Sequence, residues 1–398
     1  MSDIETVRAT LAALRSVPAL AERYSGVLAV DSLEDLVHVP TMRKDDFNLA
    51  LEHLRPRSAT GATWMFQSGG STGQPRLGYA PTGLYMSEIH EHWKALGPDD
   101  VFVNGWGAGR LWGAHYLMGA YADLARCTGI GLGTVNRGEY DEWLRFFADR
   151  QVTAIGGTPS VLRMLFARAR EAGIKLPDLR KVLYLGEAWH PSLDADLAAV
   201  AVGARRWGLF GSTETWVVAT NTPECAADTW HPLPSQLVNV GAGQMLDFTS
   251  LKPHGLNPVL RYQTGDAGEW VTCPCGVADR ALRILGRRDG QFKFYGVLIG
   301  VDDLIAEVTA RPGVAEAQLV LTEHDDERHT LGVLLIPSPG AGPDLAERVR
   351  AQLLNAAFGG PGTVFQRFPD ALTVRVVDAP IANPRTGKVS ALVQRREP

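Results

Sequence analysis

The chain has 398 residues, 45% of them hydrophobic, and this length suits two or three domains better than one core. Its formal net charge of −5 argues against a polyanionic partner, so we expect neither nucleic acid nor a membrane surface. With no apolar run near the ~18 residues of a transmembrane helix, no signal-peptide pattern and no disulfide scaffold, we expect a cytoplasmic protein.

Predicted strands alternate with predicted helices over the first half of the chain. Apolar residues at helical spacing cover 4–24, 44–54, 82–96, 111–125, 141–150 and 159–172. Strands are predicted at 64–67, 101–104, 152–157, 181–185 and 204–210. This alternation predicts an α/β fold with a large, multi-layer N-terminal domain.

The composition of the sequence changes after residue 215. Glycine, proline and short alternating strands indicate a β-rich subdomain over about 216–287. From residue 289 a small α+β module follows, with helices at 301–310 and 345–358 and strands at 314–321, 332–336 and 372–377. We therefore predict an N-terminal domain of residues 1–288 and a mobile C-terminal domain of residues 289–398.

A glycine-rich segment follows the predicted strand at 64–67. Its residues are Ser68, Gly69, Gly70, Ser71, Thr72 and Gly73. Small residues let successive backbone amides point at phosphate oxygens, and the hydroxyls add donors. The alternative is a flexible glycine turn.

Two further motifs follow predicted strands and carry carboxylates. Gly186 and Glu187 come after 181–185, where a carboxylate faces the crevice in which open α/β sheets bind ligands. The other motif comprises Phe210, Gly211, Ser212, Thr213 and Glu214. Thr213 is a candidate for a phosphate oxygen and Glu214 for Mg²⁺. The alternatives are a solvated Glu187 and a helix N-cap at Ser212–Glu214.

Three more polar residues are candidates for the nucleotide and the reacting groups. Asp266, in Thr264-Gly265-Asp266, can accept hydrogen bonds from both ribose hydroxyls, and Arg287 can pair with the nucleotide. Lys388, on a glycine-softened loop, can neutralise charge between an attacking carboxylate and the α-phosphate. The alternatives are a hairpin turn, a charged linker and a solvated tail lysine.

These motifs, in this order and at these spacings, resemble the adenylate-forming superfamily of acyl-CoA synthetases, peptide-synthetase adenylation domains and luciferases. The resemblance runs from about residue 32 to residue 392. The short opening around 35–47, Glu224-Cys225 with a following histidine, and the segment 273–276 favour the branch of phenylacetate–CoA ligases.

The resemblance implies an enzyme that uses ATP and Mg²⁺ to convert a small-molecule carboxylic acid into an acyl-adenylate and pyrophosphate. Lys388 would serve this first half-reaction. The C-terminal domain would then rotate about Asp289, and the acyl group would pass to a thiol such as CoA. Such an enzyme is an acid–thiol ligase of the AMP-forming type.

Candidate acid-binding residues come from the region between the glycine-rich segment and Glu214. They are Trp106, His115, Gly157, Thr158, Tyr184 and Trp189. Several aromatic rings favour a flat aromatic acid held by stacking, and His115 is a donor or acceptor for a ring substituent. The alternative for each ring and for His115 is an ordinary core position.

Cys225, His231, Cys273 and Cys275 supply three thiols and one imidazole, which is a tetrahedral zinc set. Such a zinc would be structural, because four protein ligands leave no position open for water. The alternative is reduced cysteines without a metal.

Two other functions stay open. The adenylate can pass directly to an amine or another small nucleophile in secondary metabolism, without CoA. The chain can also be a non-catalytic adenylate-binding scaffold, although the presence of Glu214, Asp266, Arg287 and Lys388 argues against it. We also consider a homodimer.

Overall fold

The computed structural model describes residues 2–27, 30–67, 77–109, 111–189, 191–287, 290–325, 328–355, 361–381 and 391–397. The chain divides into two compact units, and the described residues up to 287 belong to the first and those from 290 to the second. Each unit is described by itself.

The helices lie in both units. Those of the first unit are α1 (Asp3–Ser16), α2 (Pro18–Ser25), α3 (Lys44–Leu54), α4 (Met86–Trp93), α5 (Ala114–Ala125), α6 (Tyr140–Asp149), α7 (Pro159–Glu171) and α8 (Pro191–Val200). Those of the second unit are α9 (Val301–Thr309), α10 (Leu345–Leu354) and α11 (Pro361–Arg367).

The strands are more numerous in the first unit. They are β1 (Thr63–Gln67), β2 (Leu77–Pro81), β3 (Val101–Asn104), β4 (Thr128–Ile130), β5 (Ala154–Gly157), β6 (Lys181–Leu185), β7 (Arg205–Ser212), β8 (Trp216–Asn221), β9 (Thr229–Pro232), β10 (Gln236–Val240), β11 (Met245–Ser250), β12 (Tyr262–Thr272) and β13 (Arg280–Arg287). The second unit has β14 (Gln291–Phe294), β15 (Val297–Gly300), β16 (Val314–His324), β17 (His329–Pro337), β18 (Leu372–Val376) and β19 (Leu392–Glu397).

Eleven strands of the first unit form one sheet in the described part of the chain, in the order β10-β11-β12-β13-β9-β8-β7-β6-β5-β3-β4. The run from β4 to β7 is parallel, and every pairing from β7 to β10 is antiparallel. Helices cover the parallel part because parallel strands need crossover connections. The predicted α/β fold and the β-rich region after residue 215 are both confirmed.

Two glycines let aromatic rings pack directly on this sheet. A Cβ at Gly156 would lie 2.2 Å from the ring of Trp106, and a Cβ at Gly208 would lie 2.6 Å from the ring of Tyr184. Trp106 and Tyr184 are 1% and 0% exposed, and they belong to two different hydrophobic clusters. The strand glycines thus shape two cores rather than one.

Some predicted helix boundaries were wrong, for reasons of backbone geometry. The helix predicted at 4–24 is broken at Val17, which is extended because Pro18 follows it and begins α2. The helix predicted at 82–96 spans only α4, since Tyr85 and Lys94 adopt the left-handed conformation at its two ends. Helix α8 was not predicted.

The second unit is an α+β module, as predicted. Its sheet has the order β18-β17-β16-β19, with β16 and β17 antiparallel and the two outer strands parallel to their neighbours. Helices α9, α10 and α11 and the β14–β15 hairpin contribute buried residues to its own hydrophobic core. Within the described residues, no helix is both long and apolar enough to cross a bilayer.

Candidate active site

Two of the predicted motifs lie side by side at the carboxyl ends of two neighbouring parallel strands. Leu185 pairs with Leu209 across β6 and β7, so Gly186 follows one strand where Phe210 continues the other. Gly186 has a φ of +93° and turns the chain away from the sheet, with Glu187 half-buried in the loop that follows. Carboxyl ends of parallel strands are where open α/β sheets bind ligands.

The segment from Ser212 to Thr215 is a tight turn between β7 and β8. The Ser212 amide donates to the Thr215 Oγ1 at 3.2 Å, and the Thr215 amide donates to the Ser212 Oγ at 3.1 Å. A Cβ at Gly211 would lie only 2.0 Å from the Trp216 carbonyl oxygen, so a side chain there would break this pairing. The alternative of a helix N-cap is therefore wrong, because a strand follows.

Glu214 is buried at the centre of this turn and is only 2% exposed. The Tyr262 hydroxyl donates a hydrogen bond to the Glu214 Oε1 at 2.9 Å. Tyr262 is itself fully buried and packs on Phe47, with 5.1 Å between the ring centroids. A carboxyl group held in this way has a fixed orientation, as a metal ligand requires.

Asp266 lies four residues beyond Tyr262 on the same strand. The Thr264 hydroxyl donates to the Asp266 Oδ2 at 2.7 Å, and Gly265 has a φ of +95°. The alternative of a hairpin turn is wrong, because this segment is inside β12. Asp266 pairs with Arg287 across β12 and β13, so the structure brings these two positions together. Only the backbone of Arg287 is described.

Several predicted site residues lie outside the described residues: Ser68, Gly69, Gly70, Ser71, Thr72, Gly73, Asp289 and Lys388. The strands that flank the glycine-rich segment are described, and β1 pairs with β2 from Gln67 and Leu77. A Cβ at Gly78 would lie 2.1 Å from the Thr213 carbonyl oxygen. Strand β2 therefore runs in contact with the turn that carries Glu214.

The predicted acid-binding residues do not form a single pocket. Tyr184 and Trp189 contact each other, with 4.9 Å between ring centroids, in one core, whereas Trp106 lies in the other. Thr158, at the start of α7, approaches Gly186, where a Cβ would lie 3.7 Å from its methyl group. Gly157 and Thr158 thus lie near the carboxylate motif.

His115 faces a separate cavity of about 460 Å³ between α5 and strands β3 and β4. Its Nδ1 lies 2.7 Å from the Trp106 carbonyl oxygen, and since that oxygen only accepts, Nδ1 carries the proton. The lining includes Asn104, Asp123, Arg126 and Cys127, which were not among the predicted pocket residues. The volume suits a small molecule.

A second cluster, of cysteine and histidine residues, lies in the antiparallel part of the sheet and its connections. The ligand atoms of Cys225, His231, Cys273 and Cys275 all lie within 4.8 Å of one another. The first three residues are at most 5% exposed, and the His231 Nε2 lies 3.0 Å from the Cys275 Sγ. Burial raises the pKa of the Cys273 thiol to about 11, and a bound cation would favour its thiolate form. This donor set fits zinc.

The first unit is an α/β unit with carboxylates at the carboxyl ends of its strands, and a small α+β unit follows it in the chain. The AMP-binding enzyme family matches residues 4–252, which is more than half of the chain. The chain belongs to this family.

Curated relatives are much longer proteins. The chain is 27% identical over 344 residues to a probable nonribosomal peptide synthetase, CymA, of Salinispora arenicola, with 75% of this chain and 4% of CymA covered. It is 26% identical over 319 residues to the phenyloxazoline synthase MbtB of Mycobacterium sp., with 71% of this chain and 25% of MbtB covered. The chain thus spans a small part of either relative.

Similar solved structures support the fold. A 2-hydroxyisobutyryl-CoA ligase in complex with 2-HIB-AMP and CoA has a TM-score of 0.74 at 20% identity, covering 99% of this chain and 90% of that one. The amide bond synthetase McbA from Marinactinospora thermotolerans has a TM-score of 0.60 at 18% identity, covering 82% and 67%. At these identities, the likeness concerns the fold alone.

Proposed function

We propose that this protein activates a carboxylic acid with ATP and then transfers the acyl group to a thiol such as CoA. One observation carries the proposal: in a member of the AMP-binding enzyme family, the buried Glu214 is oriented by Tyr262, which leads along β12 to Asp266. A carboxylate oxygen attacks the α-phosphorus, the bond to the bridging oxygen breaks, and pyrophosphate leaves. A thiolate then attacks the acyl carbon, and AMP leaves.

The residues divide this work between phosphates, metal and ribose. Thr213 and the segment Ser68–Gly73 would hold phosphate oxygens, and Asp266 would bind the ribose hydroxyls. Bound Mg²⁺ would neutralise phosphate charge, and Glu214 is the residue that would hold it. Lys388 would stabilise charge at the attacking carboxylate, while Asp289 would be the hinge between a nucleotide-binding domain and a C-terminal lid.

Lys388 gives this division a direct test. We expect Lys388→Ala to abolish adenylate formation and to leave ATP binding nearly intact, because the lysine acts on the reacting groups. Unchanged adenylate formation in that variant would remove Lys388 from the mechanism.

We further propose an aromatic acid as the substrate, as in the phenylacetate–CoA ligase branch. The support is the resemblance of the motifs together with His115 at a cavity of about 460 Å³. Ring stacking does not support an aromatic acid, because Trp106, Tyr184 and Trp189 are buried in two separate cores.

Direct transfer to an amine is the second candidate function. It is favoured by the likeness of this chain to an amide bond synthetase, over 82% of the chain. The acceptor would then be an amine instead of CoA, and the adenylation step would be the same.

The experiment supplies ATP, Mg²⁺ and a panel of aromatic and aliphatic acids, with CoA in one arm and amines in the other. Pyrophosphate release that depends on one acid, with an acyl-CoA product, supports the proposal. An amide product supports the second candidate. Nucleotide binding without pyrophosphate release in any arm supports a non-catalytic scaffold.

We also propose that Cys225, His231, Cys273 and Cys275 hold a structural zinc. Cys225 lies in the connection between β8 and β9 and His231 lies in β9, while Cys273 and Cys275 lie in the connection between β12 and β13. A metal held by all four would tie these two connections together.

A further inference from the structure

Asn257 uses both ends of its side chain to join two candidate nucleotide motifs. It lies in the connection between β11 and β12. Its Oδ1 accepts a hydrogen bond from the Tyr79 amide at 2.8 Å, and its Nδ2 donates to the Glu214 carbonyl oxygen at 2.8 Å. Tyr79 is in β2, which follows the glycine-rich segment, and Glu214 is in the turn after β7.

The two bonds require an amide. The Tyr79 amide only donates and the Glu214 carbonyl only accepts, so the group between them must accept on one side and donate on the other. Aspartate has the same shape but offers an oxygen on both sides. That oxygen would face the Glu214 carbonyl oxygen without a proton between them.

Asn257 also supplies a connection that strand pairing does not. Among the described strands, β2 pairs with β1 in a separate two-stranded sheet, whereas β7 and β8 belong to the large sheet. The backbones of Gly78 and Thr213 approach so closely that a Cβ at Gly78 would lie 2.1 Å from the Thr213 carbonyl oxygen, which restricts the register of the two segments. The bonds of Asn257 fix that register.

We propose that Asn257 is a positioning residue that sets the Glu214 turn relative to the strand leaving the glycine-rich segment. The inference rests on the proposed function, in which those two elements hold the same triphosphate and its metal. Losing the register would weaken binding of the Mg²⁺-bound triphosphate. Binding of AMP, which lacks the β- and γ-phosphates, would change far less.

The test compares binding of ATP with Mg²⁺ and binding of AMP to the wild type, Asn257→Asp and Asn257→Ala, by calorimetric titration. We expect both variants to lose about tenfold or more in affinity for ATP with Mg²⁺, or about 1.4 kcal/mol, and less than about threefold for AMP. Asn239→Ala is the matched control, because Asn239 donates to the Asp247 Oδ2 at 2.8 Å between outer strands.

Four outcomes separate the hypotheses. A selective loss for ATP with Mg²⁺ in both Asn257 variants, absent in Asn239→Ala, supports the positioning role. Equal losses for ATP and AMP together with a lower Tm would show a purely structural role and overturn the inference, as would unchanged affinities. A wild type that binds neither nucleotide would contradict the proposed function itself, and the inference with it.

Discussion

The hydroxyl of Tyr262 donates a hydrogen bond to the buried carboxylate of Glu214 at 2.9 Å, across 48 residues of sequence. This bond links the turn after β7 to the strand that carries Asp266. It makes the orientation of the candidate metal ligand depend on a residue that would never touch the nucleotide.

Tyr262→Phe removes this bond and keeps the packing on Phe47. We expect a loss of about 1–3 kcal/mol in unfolding free energy, since a buried carboxyl loses a donor. We also expect acid-dependent pyrophosphate exchange to fall by about tenfold, or about 1.4 kcal/mol in the barrier. Urea unfolding and exchange rates measure the two effects.

Tyr121→Phe is the matched control for stability. The Tyr121 hydroxyl accepts from the Ala95 amide at 2.7 Å in a buried site on α5. This variant should lose comparable stability and keep its exchange rate. Equal losses of exchange in both variants would show that Tyr262 acts through stability alone.

Gly156→Ala tests the packing of the Trp106 ring on Gly156 of β5. A methyl group 2.2 Å from the indole must displace the ring or the strand, and such overpacking costs about 1–3 kcal/mol. Gly138→Ala is the control, because a Cβ there has no neighbour within 4 Å. Equal unfolding free energies for the two variants would contradict the packing described here.

The cysteine–histidine cluster predicts a zinc content of one ion per chain after purification without added metal. Removing the metal with a chelator should lower the Tm by several degrees, and Cys273→Ser should lose both the metal and this response. Cys127→Ser should keep both, since Cys127 lies outside the cluster. A metal-free protein whose Tm does not respond to zinc would contradict the proposed site.

Lys252 predicts a pH dependence of stability. Burial lowers the pKa of its ammonium to about 8, although Glu88 opposes this shift. The folded state therefore releases a proton that the unfolded state keeps until about pH 10.5. The destabilisation is fully present below pH 8 and is relieved as the pH rises.

The comparison is with Lys252→Met, which cannot titrate at this position. Between about pH 8 and pH 10, the unfolding free energy of the wild type should rise relative to that of the variant. Urea unfolding at several pH values measures the difference. Parallel curves for the two proteins would contradict a depressed Lys252 pKa.

Local patterns predicted much of the fold. Strands β3 and β6 have the predicted bounds, because apolar runs of β-branched and aromatic residues define buried strands. The helix predicted at 82–96 was too long, because apolar spacing does not report the left-handed backbone of Tyr85 and Lys94. The low amphipathicity of Pro191–Val200 explains why α8 was missed.

The residues of the candidate site could be predicted from short motifs, but the contacts that they make could not. Glu187, Glu214 and Asp266 follow from short motifs at the ends or bends of strands. Their partners Tyr262 and Asn257 could not be found in this way, because each contact joins residues more than 40 positions apart. Trp106 and Tyr184 were grouped by residue type, whereas the side of the sheet to which each ring points separates them.

The most direct test of the central claim is ATP–pyrophosphate exchange with Mg²⁺ across a panel of aromatic and aliphatic acids, with no acceptor present. Reversible adenylation returns labelled pyrophosphate to ATP only when the correct acid is bound. We predict exchange with at least one acid, and its loss in Glu214→Gln. Absence of exchange with every acid, in a wild type that binds ATP, would contradict the assignment of this chain as an acid-activating enzyme.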